Sequence, residues 1–341
     1  MLAHYSPESE VRLILQRLWS EFWIPRNTGN AAVWFCLEAH LPRFAARSSE
    51  PPRHDNQRES HVNLARRTVL YALTVLGCAA IVATSAVAAQ PIPLLSHRGV
   101  YDLKLSESRK TAVQAVRGRI LYDFGGSACD GYTTQIRQVT EMDGGERGPS
   151  LSDLRSTTWE DETGQNFRFA STNFVNQRKA SDVEGTAKRG ADGIEVVLKK
   201  PAEKTLRLPA ATAFPTDHLR RVIIAAREGK KILQLPVYDG SEDGEKVYNT
   251  LTVIGDAIPS SKPPPDAAAG KSELASATRW HVRVSYFDQA GAGEQTPVYS
   301  IAFELYDNGV SRALTLDYND FEITGVMSAL DIRDTPACKG R

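Results

Sequence analysis

The sequence predicts a mainly β, all-β sandwich or barrel fold with one principal helix, in a single domain. Three observations carry this. Apolar and polar residues alternate in segment after segment beyond residue 95, the mark of half-buried antiparallel strands. Turn sequences separate these segments at the spacing of short strands, giving about a dozen of them. One stretch alone, residues 214–228, repeats its apolar residues at helical spacing.

The elements follow in order. Tyr101, Leu103 and Leu105 alternate with Asp102 and Lys104. Val116, Gly118, Ile120, Tyr122 and Phe124 share one face, with Arg117, Arg119 and Asp123 on the other. Glu162-Thr163-Gly164-Gln165 turns a Trp159 strand into a strand with Phe167 and Phe169. Asp192-Gly193 leads into Ile194, Val196 and Leu198. In the helix, Pro215 suits the first position, Asp217 the first turn, and Gly229 the end. Residues 260–270, rich in Pro and Ala, read as a flexible or polyproline loop. Val282, Val284 and Tyr286, then Tyr299, Ile301, Phe303 and Leu305, give further strands. Asp307-Asn308-Gly309 is a strong hairpin signal, because Asn and Gly tolerate positive φ.

Residues 65–88 carry an export plan. Arg66 and Arg67 precede an uncharged apolar run, and Ala86-Val87-Ala88 offers small residues at both cleavage positions. A retained anchor is the rival reading, but no basic cluster follows Gln90-Pro91. Lipidation at Cys78 is a third, and Leu76 suits its motif poorly. Residues 1–64 do not fit in front of a signal. They read as a misassigned start or a disordered extension, with translation expected near Val62 or Leu64, since no Met separates Met1 from the apolar run. Residues 89–341 are then the exported domain.

The 41 Lys+Arg balance 41 Asp+Glu. Removing residues 1–88 takes nine bases and seven acids, leaving 32 and 34. Such a chain has no basic excess to draw it to nucleic acid. Of four cysteines, Cys129 and Cys338 lie in the exported part. An oxidising compartment and an even count predict one disulfide between them, stapling the domain.

Chemistry is sparse. His97, His218 and His281 sit in separate segments and read as structural or exposed. Ser127 lies beside a Gly125-Gly126 bend. The triplet Glu160-Asp161-Glu162 reads as a solvated turn, and residues 239–245 as a hairpin tip in preference to a calcium loop, whose twelfth-position Glu is replaced by Thr250. We expect no enzyme, no cofactor and no metal. The aromatic residues read first as core. Their alternative is the lining of a half-open barrel that takes a lipid or acyl chain, with Tyr122, Phe124, Trp159, Phe167, Phe169, Trp280, Tyr286 and Phe303 as candidates.

An ordered set of motifs adds to this. It runs Ser96-His97-Arg98-Gly99-Val100-Tyr101-Asp102-Leu103, then Gly118-Arg119-Ile120-Leu121-Tyr122-Asp123-Phe124, then Gly126-Ser127-Ala128-Cys129-Asp130-Gly131-Tyr132. Thr157-Thr158-Trp159-Glu160-Asp161, Asn166-Phe167-Arg168-Phe169 and Cys338 complete it. From about Leu95 to Cys338 the chain resembles the periplasmic cell-envelope integrity EipB family. The resemblance implies an antiparallel β-spiral or broken barrel, with a disulfide between Cys129 and Cys338. It implies a periplasmic role in envelope integrity with a tetratricopeptide-repeat partner, and no catalytic residue. Residues 1–64 depart from the family plan.

Overall fold

The computed structural model describes residues 92–109, 113–145, 148–289 and 295–335. The extension, the export segment and Cys338 lie outside the described residues.

The described residues form one fourteen-stranded antiparallel sheet. Its first eight strands are β1 (His97–Ser108), β2 (Ala115–Ser127), β3 (Gly131–Asp143), β4 (Pro149–Glu160), β5 (Asn166–Val175), β6 (Arg178–Gly190), β7 (Gly193–Lys200) and β8 (Lys204–Leu208). Helix α1 (Pro215–Arg227) follows. Then come β9 (Ile232–Val237), β10 (Tyr248–Ile258), the single-turn α2 (Ser272–Ala275), β11 (Arg279–Asp288), β12 (Tyr299–Tyr306), β13 (Ser311–Asp317) and β14 (Phe321–Ile332).

The strands are nearly all in sequence order. β1 sits mid-sheet between β2 and β14, and β8 and β9 are the two edges. A meander of this order would close into a barrel by pairing β8 with β9. It stays open there, and α1 fills the interruption in the chain. One parallel bridge spans the break: the Ala213 N–H donates to the Pro236 carbonyl at 2.8 Å, and Tyr238 N–H to the Ala213 carbonyl at 2.9 Å. Pro236 lies on edge strand β9, where a missing donor is tolerated. The architecture is therefore mainly β, an open antiparallel sheet with one principal helix, as the sequence led us to expect.

Period-two alternation decides which residues face inward. Val116, Ile120 and Phe124 are buried, while Arg117 pairs with Glu141 and Arg119 with Asp102 outside. Cross-strand pairing carries this phase round the sheet. Three apolar clusters result. One joins Tyr101, Leu103, Ile120, Leu316, Ile323 and Met327. A second packs Val222, Ile223 and Ala226 of α1 against Phe124, Tyr132, Ile254 and Trp280. A third gathers Phe167, Phe169, Val196, Leu198, Phe214 and Tyr238.

α1 ends as its sequence requires. Gly229 at φ +72° allows the Lys230 N–H to reach the Ala225 carbonyl (2.9 Å) and the Gly229 N–H that of Ala226 (3.1 Å). This is a Schellman termination. Residues 260–270 differ from expectation. They hold a 3₁₀ turn, Ala267–Ala269, and Ala269 and Leu274 join the first cluster. Asp266 also binds Arg312 Nε at 2.7 Å. Buried contacts and an ion pair dock this segment, so it is not a free linker.

Candidate functional site

α1 packs on the inner face against Phe124, Tyr132, Ile254 and Trp280, and its N-terminus is held by a residue of β4. Its N-cap, Phe214, has no side-chain acceptor. Glu160, at the end of β4, supplies both acceptors in its place. Its Oε2 takes the Thr216 N–H at 2.7 Å and its Oε1 the Asp217 N–H at 2.8 Å. These are the donors a helix N-terminus leaves unpaired. Glu160 is 1% exposed. Burial pushes its carboxyl up to about 7, and the two N–H bonds pull it back only in part. Next to it, Arg220 pairs with the Glu162 carboxylate, donates to the Glu162 carbonyl at 2.8 Å, and lies 5.0 Å over the Tyr132 ring. The acidic triplet is therefore no solvated turn. Glu160 caps the helix, Asp161 accepts the Gln165 N–H at 2.8 Å to shape the turn, and Glu162 anchors Arg220.

The eight expected lining residues separate into distinct environments. Phe167 and Phe169 sit in closed core, stacked at 5.5 Å, with Phe214 at 4.9 Å from Phe167. Phe124 and Trp280 lie under α1. Tyr122, Tyr286 and Phe303 are half-buried and face the interior. Trp159 is a correction. It follows Thr158 and precedes Glu160, so alternation turns it to the outer face. There Arg168 covers its ring at 4.0 Å and its indole N–H donates to the Asp130 carbonyl at 3.0 Å.

Two unlike surfaces share the inward phase of the sheet. One is an aromatic row on β10–β14. Tyr286 and Tyr299 stack at 4.4 Å and 11°, Tyr299 and Tyr318 at 6.5 Å, and Tyr318 and Phe321 at 5.1 Å. Tyr248 meets Tyr286 edge-on at 5.9 Å. The other is on β3–β5. The residues in phase with Glu160 there are Thr158, Ser156, Leu154 and Ser152, paired with Thr134, Ile136, Gln138 and Thr140 on β3 and with Phe169, Ser171, Asn173 and Val175 on β5. Most are half-buried hydroxyls and amides. Gln138 Nε2 on this face donates to Thr140 Oγ1 at 3.2 Å. The sequence reading missed this polar wall. Its signal was present, since Ser150, Ser152, Ser156 and Thr158 share the parity of inward positions.

The remaining candidates are structural. Ser127 Oγ accepts the Cys129 and Asp130 N–H groups at 3.3 and 3.2 Å, which holds the β2–β3 turn. Cys129 lies on this turn. His97 is buried beside Tyr122 and Phe124, its Nδ1–H donating to the Leu95 carbonyl at 2.7 Å. Burial lowers its pKa, and lowers that of His218 in α1 to about 4. Both are neutral at pH 7. His281 is exposed near Glu304. In residues 239–245, Asp239 and Asp243 accept backbone N–H groups of Ser241 and Glu245 at 2.9 and 3.0 Å. Gly240, at φ +69°, lies against Phe169, where an added Cβ would come within 2.3 Å of the ring. The loop thus closes over the third cluster.

A second buried polar set lies on β11–β13. Glu304 accepts Arg279 Nε at 2.6 Å and pairs with Arg312 Nη1 at 2.5 Å, with Arg279 Nη1 donating to the Lys262 carbonyl at 2.8 Å. It pins the docked 260–270 segment to the sheet.

With this geometry in hand, the comparisons decide the family. Residues 88–334 match the family model described as EipB-like. The chain belongs to the EipB-like family. The cell envelope integrity protein EipB of Brucella abortus (strain 2308) is 39% identical over 256 residues, which cover 74% of this chain and 89% of that relative. A solved beta-barrel-like protein of a domain of unknown function, also from Brucella abortus, is 38% identical with a TM-score of 0.66. The match covers 71% of this chain and 100% of that one. That structure, described as beta-barrel-like, shares the mainly β fold of this chain.

Proposed function

We propose that this EipB-like chain is a non-enzymatic periplasmic protein that supports cell envelope integrity through protein–protein contacts. The likeness to a relative named for envelope integrity, over 89% of that relative, carries the reading. The export plan of residues 65–88 supports the location. A tetratricopeptide-repeat protein is the partner we propose, on the resemblance of the motifs. A Cys129–Cys338 disulfide, formed in that compartment, would staple the β2–β3 turn to the C-terminus.

The outer face offers contact surface. A groove of about 220 Å³ lies between Leu151, Asp153, Arg155, Phe174 and Gln177, and Leu151 is 39% exposed. A photocrosslinker at Leu151 in intact cells tests the reading. One envelope protein crosslinked there, identified as a repeat protein, is the expected result. No product at any outer position of β2–β5 would count against it.

The acyl-carrier alternative draws on Tyr122, Tyr286 and Phe303. The hydroxyl and amide surface that shares their inward phase argues against it, because polar groups buried against hydrocarbon lose their hydrogen bonds to water.

A further inference from the structure

The groove on the outer face of β4 and β5 has an apolar floor and a guanidinium rim. Leu151, 39% exposed, and half-buried Phe174 line it, beside Asp153, Arg155 and Gln177. Its volume of about 220 Å³ falls below the roughly 300–1,000 Å³ of small-molecule sites, and suits a side chain of a partner. Strand pairing sets Arg137 of β3 directly opposite Arg155 of β4. Like charges held opposite one another repel, and a single carboxylate serves both. Arg137 donates to Asp153 through Nε and Nη2, each at 3.0 Å. Arg155 donates through Nη2 at 2.7 Å and lies 5.4 Å over the Phe174 ring. Both guanidiniums are more than half exposed, while Asp153 is largely covered. Hydrogen bonds from Arg155 and Arg137 pull the Asp153 carboxyl down to about 2, so it is ionised at neutral pH. Two fixed cations thus share one fixed anion at the groove's rim. Arg119 adds a third cation on the diagonal from Arg137, paired with Asp102.

Resting on the protein–protein reading above, we propose that this groove docks an acidic segment of the partner: a Leu or Phe side chain enters between Leu151 and Phe174, and flanking Asp or Glu carboxylates pair with Arg137 and Arg155. Guanidinium matches carboxylate in geometry and can take it two hydrogen bonds at a time. Apolar anchors beside arginine are also the composition of interface centres. A basic segment would meet the surplus of like charge. An anionic bilayer would meet the arginines too, but it would leave the apolar floor of the groove unfilled.

Selection of a random dodecapeptide library on the full chain, followed by fluorescence anisotropy of the selected peptides, tests this. Peptides with Asp or Glu flanking Leu or Phe are the expected yield. Arg137→Gln combined with Arg155→Gln weakens them by about tenfold or more, the loss of charge-assisted hydrogen bonds. Leu151→Ser weakens them as well. Asp153→Asn removes the competing carboxylate and tightens binding, a gain that misfolding cannot produce. Selected peptides without acidic enrichment, no selected peptide, affinities unaltered in the arginine variant, or binding only to vesicles of phosphatidylcholine and phosphatidylglycerol would overturn the proposal. The Leu151 crosslink in cells separates this from the broader reading. A crosslinked repeat protein without any acidic preference among the peptides sinks the acidic segment alone, and no crosslinked product together with no peptide sinks both.

Discussion

Replacing Glu160 with alanine removes both acceptors at the start of α1. The Thr216 N–H is buried and the Asp217 N–H partly so, and the N-cap residue has no side-chain acceptor to offer them. A buried donor left unpaired costs about 1–3 kcal/mol. Two would cost about 2–6, offset by release of a carboxylate whose burial is itself unfavourable. We expect a net loss of about 2–4 kcal/mol, or roughly 4–16 °C in Tm for a domain of this size. Glu160→Gln keeps one acceptor and loses less. Its pH dependence is the sharper test. The folded carboxyl is raised from 4.5 to about 7, so the folded state binds the proton more tightly than the unfolded one. The group's contribution is then fullest below pH 4.5 and is lost as pH rises toward 7. Across that window it changes by about 3 kcal/mol. Thermal melts at pH 5 and pH 8 should show the Tm gap between Glu160→Gln and wild type moving in the variant's favour at the higher pH. A gap independent of pH would refute the raised carboxyl, and an alanine variant as stable as wild type would refute the capping role.

Three further outcomes follow from the same structure. Glu304→Ala leaves Arg279 and Arg312 buried around a missing carboxylate and should cost about 3–5 kcal/mol, read by denaturant unfolding, with protease sensitivity rising in residues 260–270. Phe167→Ala, in closed core, should cost about 3–5 kcal/mol. Trp159→Ala, outside, should cost under half as much, and equal costs would contradict the assigned faces. Reduction, or Cys129→Ser, should lower the thermal midpoint. The chain-entropy argument sets an upper figure of about 5 kcal/mol, and equal midpoints for oxidised and reduced protein would exclude the staple.

Much of the fold was legible because each local signal agreed with the global one. The alternation from Val116 to Phe124, the Asp307-Asn308-Gly309 hairpin and the Pro215-to-Gly229 helix all stand where their residues place them. The order of strands round the spiral was not legible from periodicity, which gives a strand's faces but not its neighbours. The site was less legible for a related reason. An aromatic residue on a strand reads as interior by composition, and Trp159 shows that parity outranks composition. Glu160 was hidden by its neighbours: an acidic triplet looks solvated until the helix that lacks its own cap is brought 56 residues back to it. The polar wall of Ser156, Ser171 and Asn173 escaped notice because serines and asparagines on strands resemble an outer face when the partner strand is unknown. Residues 260–270 misled by composition too, since their alanines are small enough to dock.

The central claim is that this chain maintains the envelope from the periplasm. A strain lacking it, challenged with a bile-salt detergent and complemented with or without residues 65–88, tests this most directly. Loss of survival in the deletion strain, rescued only by the form that carries the export segment, is the predicted result. Survival equal to wild type, or full rescue by the form without that segment, would contradict it.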